Sequence, residues 1–185
     1  MADIELILGG QKSGKSAQAE RLACAWLAQS SAHRGVFVAT AQAWDDEMRV
    51  RIRRHQEDRA KTLGLMRTIE EPLALAQVLR QESDAQTLIV IDCITLWLVN
   101  LMMPMQTPAT QLPSVAQATQ ELCLALEETE SRVILVSNEI GLGVIPMGKE
   151  TRDYVDALGL LNQALARSAD RVTLMTAGIA LPLKN

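Results

Sequence analysis

Ile4-Glu5-Leu6-Ile7-Leu8-Gly9-Gly10-Gln11-Lys12-Ser13-Gly14-Lys15-Ser16 is the segment from which the architecture can be read. Ile4 to Leu8 is a short apolar run that ends in two glycines, as a buried strand entering a turn does. Beyond the turn, Ala19, Leu22, Ala23 and Trp26 recur at helical spacing, which predicts a helix from Lys15 to about Ala28. The residues between satisfy Gly-x-x-x-x-Gly-Lys-Ser/Thr, and a strand before with a helix after is the context in which that pattern carries meaning. Glycines let the backbone wrap a phosphate chain, so that successive N–H groups and the helix N-terminus face the anion. Lys15 would reach the β- and γ-phosphates as a mobile positive charge, and the Ser16 hydroxyl would ligate Mg2+. The competing reading is a chance glycine turn.

The flanking sequence repeats the strand-then-helix alternation. Val36 to Ala39 reads as a second strand and Leu65 to Ile69 as a short one. Leu88 to Ile91 is a continuous apolar run of the kind found in a central parallel strand covered on both faces, and it ends in Asp92. Val133 to Val136 and Val172 to Thr176 are further strands. Helices are predicted over the charged stretch Asp45 to Arg59, from Pro72 onward, over Ile94 to Met102, from the N-cap Ser114 to about Glu130, and over Asp153 to Ala169. Pro104, Pro108 and Pro113 interrupt the pattern with a loop, and Gly178 allows a final turn. No repeat and no long linker divides the chain. The expectation is an α/β fold of the P-loop NTPase (RecA-like) type, a mainly parallel sheet flanked by helices, in one nucleotide-binding catalytic domain over residues 1–185.

Composition removes other function classes. The chain has 185 residues, 48% of them hydrophobic and 22% charged, with no long polar tract, so a packed core is expected and disorder is not. A net charge of −4 gives no general attraction to nucleic acid or anionic membrane. One Phe, one Tyr and three Trp leave few surfaces on which bases could stack. Cys24, Cys93 and Cys123 are widely spaced and form no Cys-x-x-Cys, which indicates neither a zinc site nor a disulfide framework. The short first apolar run does not resemble a signal peptide, and no apolar stretch reaches the ~20 residues of a membrane span. A cytoplasmic protein without nucleic-acid partners is expected.

Two further residues carry chemistry. Asp92, at the end of an apolar strand, either orients magnesium or its water or caps the helix that follows. His55 lies within Arg51-Ile52-Arg53-Arg54-His55-Gln56-Glu57-Asp58-Arg59. Surrounding cations disfavour the imidazolium, and a neutral imidazole can act as a nucleophile while the arginines offset charge on phosphate oxygens. The alternative is a solvated charged helix with an incidental histidine. His33, in a Ser/Ala/Gly loop, reads as structural. An Asn-Lys-x-Asp guanine signature is absent, and no basic clusters suggest a helicase or recombinase.

Taken together, several blocks resemble one family. They are Gly9-Gly10-x-x-Ser13-Gly14-Lys15-Ser16, Ala39-Thr40-Ala41, Asp45-Asp46-Glu47-Met48 with Arg51-Ile52 and His55-x-x-x-Arg59, then Asp92-Cys93-Ile94-Thr95, Ser137-Asn138-Glu139-Ile140-Gly141-x-Gly143 and the turn Thr176-Ala177-Gly178. In this order they look like the bifunctional adenosylcobinamide kinase/adenosylcobinamide-phosphate guanylyltransferases of cobalamin biosynthesis. Gln11-Lys12 departs from the Ala-Arg often found there but keeps one basic residue, and Asp92 is a methylene shorter than the Glu of some members.

The resemblance implies two reactions. A nucleoside triphosphate, ATP or GTP, phosphorylates the aminopropanol hydroxyl of adenosylcobinamide; GTP then gives GMP to that phosphate, yielding adenosyl-GDP-cobinamide and pyrophosphate. It implies His55 as the residue guanylylated on the way, with Lys15 also catalytic and Mg2+ at Ser16 and Asp92. Nucleotide contacts are implied for Gly9, Gly10, Gln11, Lys12, Ser13, Gly14, Lys15, Ser16, Ala39, Thr40, Ala41, Gln56, Glu57, Asp58, Arg59, Glu70 and Asp92. It also implies a homotrimer. Glu70 could accept hydrogen bonds from guanine or ribose, or be a surface carboxylate before a helix. Asn138 and Glu139 could bind substrate or organise their loop. With so few aromatics, the corrinoid is expected to pack on aliphatic surface. A guanylyltransferase without kinase activity, and a P-loop module that senses nucleotide without turnover, are the alternatives.

Overall fold

A computed structural model describes residues 3–43, 46, 49, 50, 66–105 and 108–185. Seven strands form one sheet: β1 (Ile4–Gly9), β2 (Arg34–Ala39), β3 (Met66–Glu70), β4 (Thr87–Asp92), β5 (Arg132–Val136), β6 (Arg171–Thr176) and β7 (Ile179–Lys184). Their order is β3-β2-β4-β5-β1-β6-β7. Every neighbouring pair is parallel except β6 and β7. The described helices are α1 (Lys15–Leu27), α2 (Leu75–Gln81), α3 (Ile94–Met102), α4 (Val115–Glu128) and α5 (Lys149–Ser168), with a short 3₁₀ turn at Ala109–Gln111.

Side-chain alternation along the strands builds a core on each face of the sheet. Leu6, Val38, Ile89, Ile91 and Leu135 point to one side, where α2, α3, α4 and α5 cover them with residues such as Leu79, Leu98, Leu122 and Leu161. Ile7, Phe37, Val90 and Ile134 point to the other, where α1 lays down Ala19, Ala23 and Trp26. The continuous apolar strands therefore mean burial on both faces, and the predicted mainly parallel α/β architecture is present.

Local differences from the sequence expectation have physical causes. The helix expected at Pro72 starts at Leu75, because the Glu71 carboxylate accepts the amides of Leu73 and Ala74 and holds those residues in a turn. Helix α5 starts at Lys149, one turn before Asp153, behind Gly148. Ser114 caps α4 as expected, in a reciprocal capping box with Gln117. Strand β7 was not expected at all; its Pro182 argues against a strand, yet it lies on the sheet edge, where a missing N–H is tolerated. Most of the Asp45 to Arg59 stretch lies outside the described residues.

Candidate nucleotide-binding site

The loop between β1 and α1 forms at the carboxyl edge of the sheet. Gly9 has φ +152°, and a Cβ there would stand 2.4 Å from the Met175 carbonyl oxygen and 2.6 Å from Ser13 Oγ. Gly14, at φ +102°, is the N-cap of α1 and offers no side-chain cap, which leaves the first amides of the helix to an outside acceptor. Gly10 has no neighbour that a Cβ would meet. The third left-handed residue is Lys12, at φ 56°, so one bend of this loop is made without glycine.

Other segments hold the loop in place. Ser13 N donates to Gly10 O at 3.2 Å, Glu139 N to Gly9 O at 3.0 Å, and Gly178 N to Ser13 O at 3.0 Å. The Thr176-Ala177-Gly178 turn between β6 and β7 thus touches the phosphate loop directly. Ser13 Oγ is buried and has no partner among the described residues, an orphan hydroxyl of the kind an arriving phosphate oxygen would satisfy.

Lys15 is 9% exposed and its ammonium donates to Gly10 O at 2.7 Å. Burial lowers its pKa, while the neighbouring Cys93 and Asp92 act in the opposite sense. Ser16 Oγ donates to Asp92 Oδ2 at 2.8 Å. The N-cap of α3 is Cys93, not Asp92, and it makes no side-chain capping bond. The capping alternative for Asp92 therefore does not apply; its carboxylate is turned to the loop. Two hard oxygen ligands beside a phosphate loop suit Mg2+, which takes one or two protein oxygens and completes its shell with phosphates and water.

Sheet register aligns the remaining candidates. Ala39 pairs with Glu70 on one side and with Asp92 on the other, so three predicted residues stand side by side at the carboxyl ends of β3, β2 and β4. Neighbouring strands lie about 4.8 Å apart, which puts the Glu70 and Asp92 backbones about 10 Å from each other. Open α/β sheets bind ligands at this edge. Thr40 is fully buried, and its hydroxyl both donates to Cys93 O at 2.7 Å and accepts from Cys93 N at 2.9 Å. The Thr40 side chain thus latches β2 to β4. Ala41 follows it, half-buried. His55, Gln56, Glu57, Asp58 and Arg59 lie outside the described residues.

Asn138 N donates to Thr95 Oγ1 at 2.8 Å and Asn138 O accepts from Asn162 Nδ2 at 3.0 Å, while Glu139 Oε1 accepts from Gly141 N at 2.7 Å. These bonds organise the loop after β5. His33 is structural as expected: its ring stacks on Trp26 at 3.6 Å and its Nδ1 lies 2.8 Å from Trp26 O, at the opposite end of β2. The sequence reading names Thr95 only within the Asp92-Cys93-Ile94-Thr95 block, without a role, and does not single out Asn100. Their signal was present, because a polar residue inside the otherwise apolar Ile94-Thr95-Leu96-Trp97-Leu98-Val99-Asn100-Leu101-Met102 is buried and must have partners.

The sequence profile of the cobinamide kinase / cobinamide phosphate guanyltransferase family matches residues 5–183. The chain belongs to that family. Similar curated proteins include the bifunctional adenosylcobalamin biosynthesis protein CobP of Pseudomonas aeruginosa, 47% identical over 97% of this chain and 96% of that protein. The bifunctional adenosylcobalamin biosynthesis proteins CobU of Escherichia coli and Salmonella typhimurium are 30% and 32% identical, each over 97% of this chain and 98% of theirs. Membership in the cobinamide kinase / cobinamide phosphate guanyltransferase family makes the chain an enzyme of the kinase and nucleotidyltransferase type, working in cobalamin biosynthesis. Among the described residues no helix is long and apolar enough to cross a membrane.

Proposed function

We propose that this chain phosphorylates adenosylcobinamide with ATP or GTP and then transfers GMP from GTP to the resulting phosphate, through a guanylylated His55 and within one domain spanning residues 1–185. The observation that carries this reading is the braced loop in which buried Lys15 and the Ser16–Asp92 pair face one carboxyl edge of the sheet, in a chain of this family. The nucleotide-contacting set is Gly9 to Ser16, Ala39, Thr40, Ala41, Gln56 to Arg59, Glu70 and Asp92. Thr40 contributes through its backbone, since its hydroxyl serves Cys93. A cytoplasmic homotrimer is the proposed working form.

In the first reaction the aminopropanol oxygen forms a bond to the γ-phosphorus, the γ-phosphorus–oxygen bond to the β-phosphate breaks, and the hydroxyl proton is lost to solvent. Lys15 and the free α1 amides hold the phosphate chain and offset the charge that builds on the departing diphosphate. Mg2+, held by Ser16 and Asp92, would supply further charge neutralisation at the phosphates. In the second reaction a neutral His55 nitrogen attacks the α-phosphorus of GTP and pyrophosphate leaves. An oxygen of adenosylcobinamide phosphate then attacks the same phosphorus, the nitrogen–phosphorus bond breaks and the imidazole is regenerated. Leu142, Val144, Ile145 and Met147, exposed just beyond the Glu139 that touches Gly9, offer the aliphatic surface expected for a corrinoid.

The test is incubation with GTP labelled at the α-phosphate, then denaturation. Covalent label that is released in acid and absent from His55→Ala supports the reading. Unlabelled wild type, or equal label in the variant, overturns the histidine assignment. His55→Ala should still phosphorylate cobinamide, whereas retained guanylylation in Lys15→Ala would contradict a shared phosphate loop.

A further inference from the structure

Asn100 sits in the second turn of α3 with 1% of its surface exposed, in a helix whose other inward residues include Ile94, Trp97, Leu98 and Leu101. Its Nδ2 donates to Thr40 O at 2.8 Å and to Pro72 O at 3.0 Å. Two carbonyl acceptors around one atom identify that atom as the NH2, and both of its hydrogens are spent. Its Oδ1 has no partner among the described residues. A buried amide with an unmatched oxygen is less favourable than an apolar side chain of similar volume, so core packing alone does not account for asparagine here.

Both bonds end on segments that leave the carboxyl edge of the sheet. Thr40 follows β2 and Pro72 lies two residues beyond β3, and Glu71 N donating to Ala39 O ties the two segments at their base. The helix carrying Asn100 begins one residue after Cys93, whose backbone is held by the Thr40 hydroxyl. Asn100 therefore connects the exits of β2 and β3 to the helix that starts beside Asp92.

We propose that Asn100 is a positioning residue for the nucleotide: its amide fixes the 39–41 and 70–72 segments at the spacing at which they receive GTP. This rests on the proposed nucleotide site. Loss of one such bond lets a loop drift and weakens GTP binding about tenfold, the ratio expected for one buried hydrogen bond. The phosphate loop, braced separately by Glu139 and Gly178, keeps its form.

The experiment measures the GTP dissociation constant of the full-length protein by equilibrium dialysis, with melting temperature in parallel, for Asn100→Ser, Asn100→Ala and Lys15→Met. The expected order is wild type, then Asn100→Ser, then Asn100→Ala, the last about tenfold or more weaker well below its melting temperature. Asn100 variants that melt earlier but bind GTP like wild type overturn the proposal and leave a merely structural residue. Lys15→Met binding GTP like wild type overturns the underlying site instead. Should the Asn100 variants fail to fold, hydrogen exchange on the wild type decides. GTP should slow exchange in peptides covering 40–43 and 70–74 as well as 9–16 and leave 115–128 unchanged; protection confined to 9–16 refutes the proposal, and no protection at 9–16 overturns the underlying site instead.

Discussion

The amide of Gly178 donates to the carbonyl of Ser13 at 3.0 Å, so the last turn of the chain braces the loop that follows its first strand. The same contact zone presses Gly9 against the Met175 carbonyl. The two glycines are needed for different reasons, and their substitutions should differ.

Gly9→Ala places a Cβ 2.4 Å from Met175 O and 2.6 Å from Ser13 Oγ, and backbone must move to accept it. GTP affinity should fall by more than tenfold, with a lower melting temperature. At Gly178 a Cβ meets nothing within 4 Å, and only the φ of +78° is unfavourable. Gly178→Ala should cost about 1 kcal/mol and leave GTP binding close to wild type. Dialysis and thermal melts on the two variants check this, and equal losses would contradict the steric account.

Lys15 separates stability from function. Burial lowers its pKa, so the folded protein holds this charge less willingly than the unfolded chain does. Between the lowered value and the ordinary 10.5 the unfolded chain binds more protons, and stability contributed by this group rises with pH through that window. Below the window the buried charge is a cost. Lys15→Met should therefore melt at the same or a higher temperature while losing at least about 100-fold in both activities. In the proposed site the phosphates need the ammonium, so wild-type GTP affinity should fall on the alkaline side earlier than for an ordinary lysine. A pH series of dissociation constants reads this, and an affinity flat up to the ordinary lysine range would count against the role.

Much of this was readable in the sequence because the decisive signals are local. The strand, the glycines, Lys15 and the Ala19, Ala23 and Trp26 face of α1 all lie within one short stretch, and burial on two faces made Leu88 to Ile91 a continuous apolar run. What was not legible depends on contacts distant in sequence. The Thr40 hydroxyl is committed to Cys93, 53 positions away, so only the backbone of that residue is left for a ligand. Asn100 belongs to an apolar helix by composition and to two loops by hydrogen bonding. Strand β7 was hidden by Pro182, whose cost depends on being at a sheet edge, which only the strand order reveals.

Asp92→Asn keeps an oxygen that can accept from Ser16 Oγ, so the 2.8 Å link between α1 and β4 need not break. What is lost is the negative charge at the proposed metal site. The variant should fold with a melting temperature near wild type and turn over about 100-fold more slowly, with a raised Mg2+ requirement. Rates measured against Mg2+ concentration check this. An unchanged Mg2+ dependence would remove Asp92 from the proposed metal site.

Cys93 lies against Asp92 and within the field of Lys15, yet burial pushes its thiol up to about 12, with the Asp92 charge adding to the effect. It is a neutral thiol at any pH at which the enzyme works, and so a poor nucleophile. Carboxymethylation of the native protein at pH 8 should modify exposed Cys24 and leave Cys93 unmodified until the chain is unfolded. Peptide mapping reads the outcome, and early loss of Cys93 would show that its surroundings open.

Ser137 Oγ donates to Asn162 Oδ1 at 2.7 Å, and Asn162 Nδ2 donates to Asn138 O at 3.0 Å, so the buried pair sets the first residues of the loop whose Glu139 amide holds Gly9. Ser137→Ala strands a buried acceptor and should destabilise by about 1–3 kcal/mol. Adding Asn162→Leu removes the stranded group and should return part of that stability. It cannot return the bond to Asn138 O, so the loop stays unanchored and GTP affinity should remain severalfold below wild type even as the melting temperature recovers. Denaturant melts and GTP dialysis on the single and double variants separate the two effects. Affinity that recovers together with stability would mean that the pair serves packing alone, and that the Glu139–Gly9 brace holds without it.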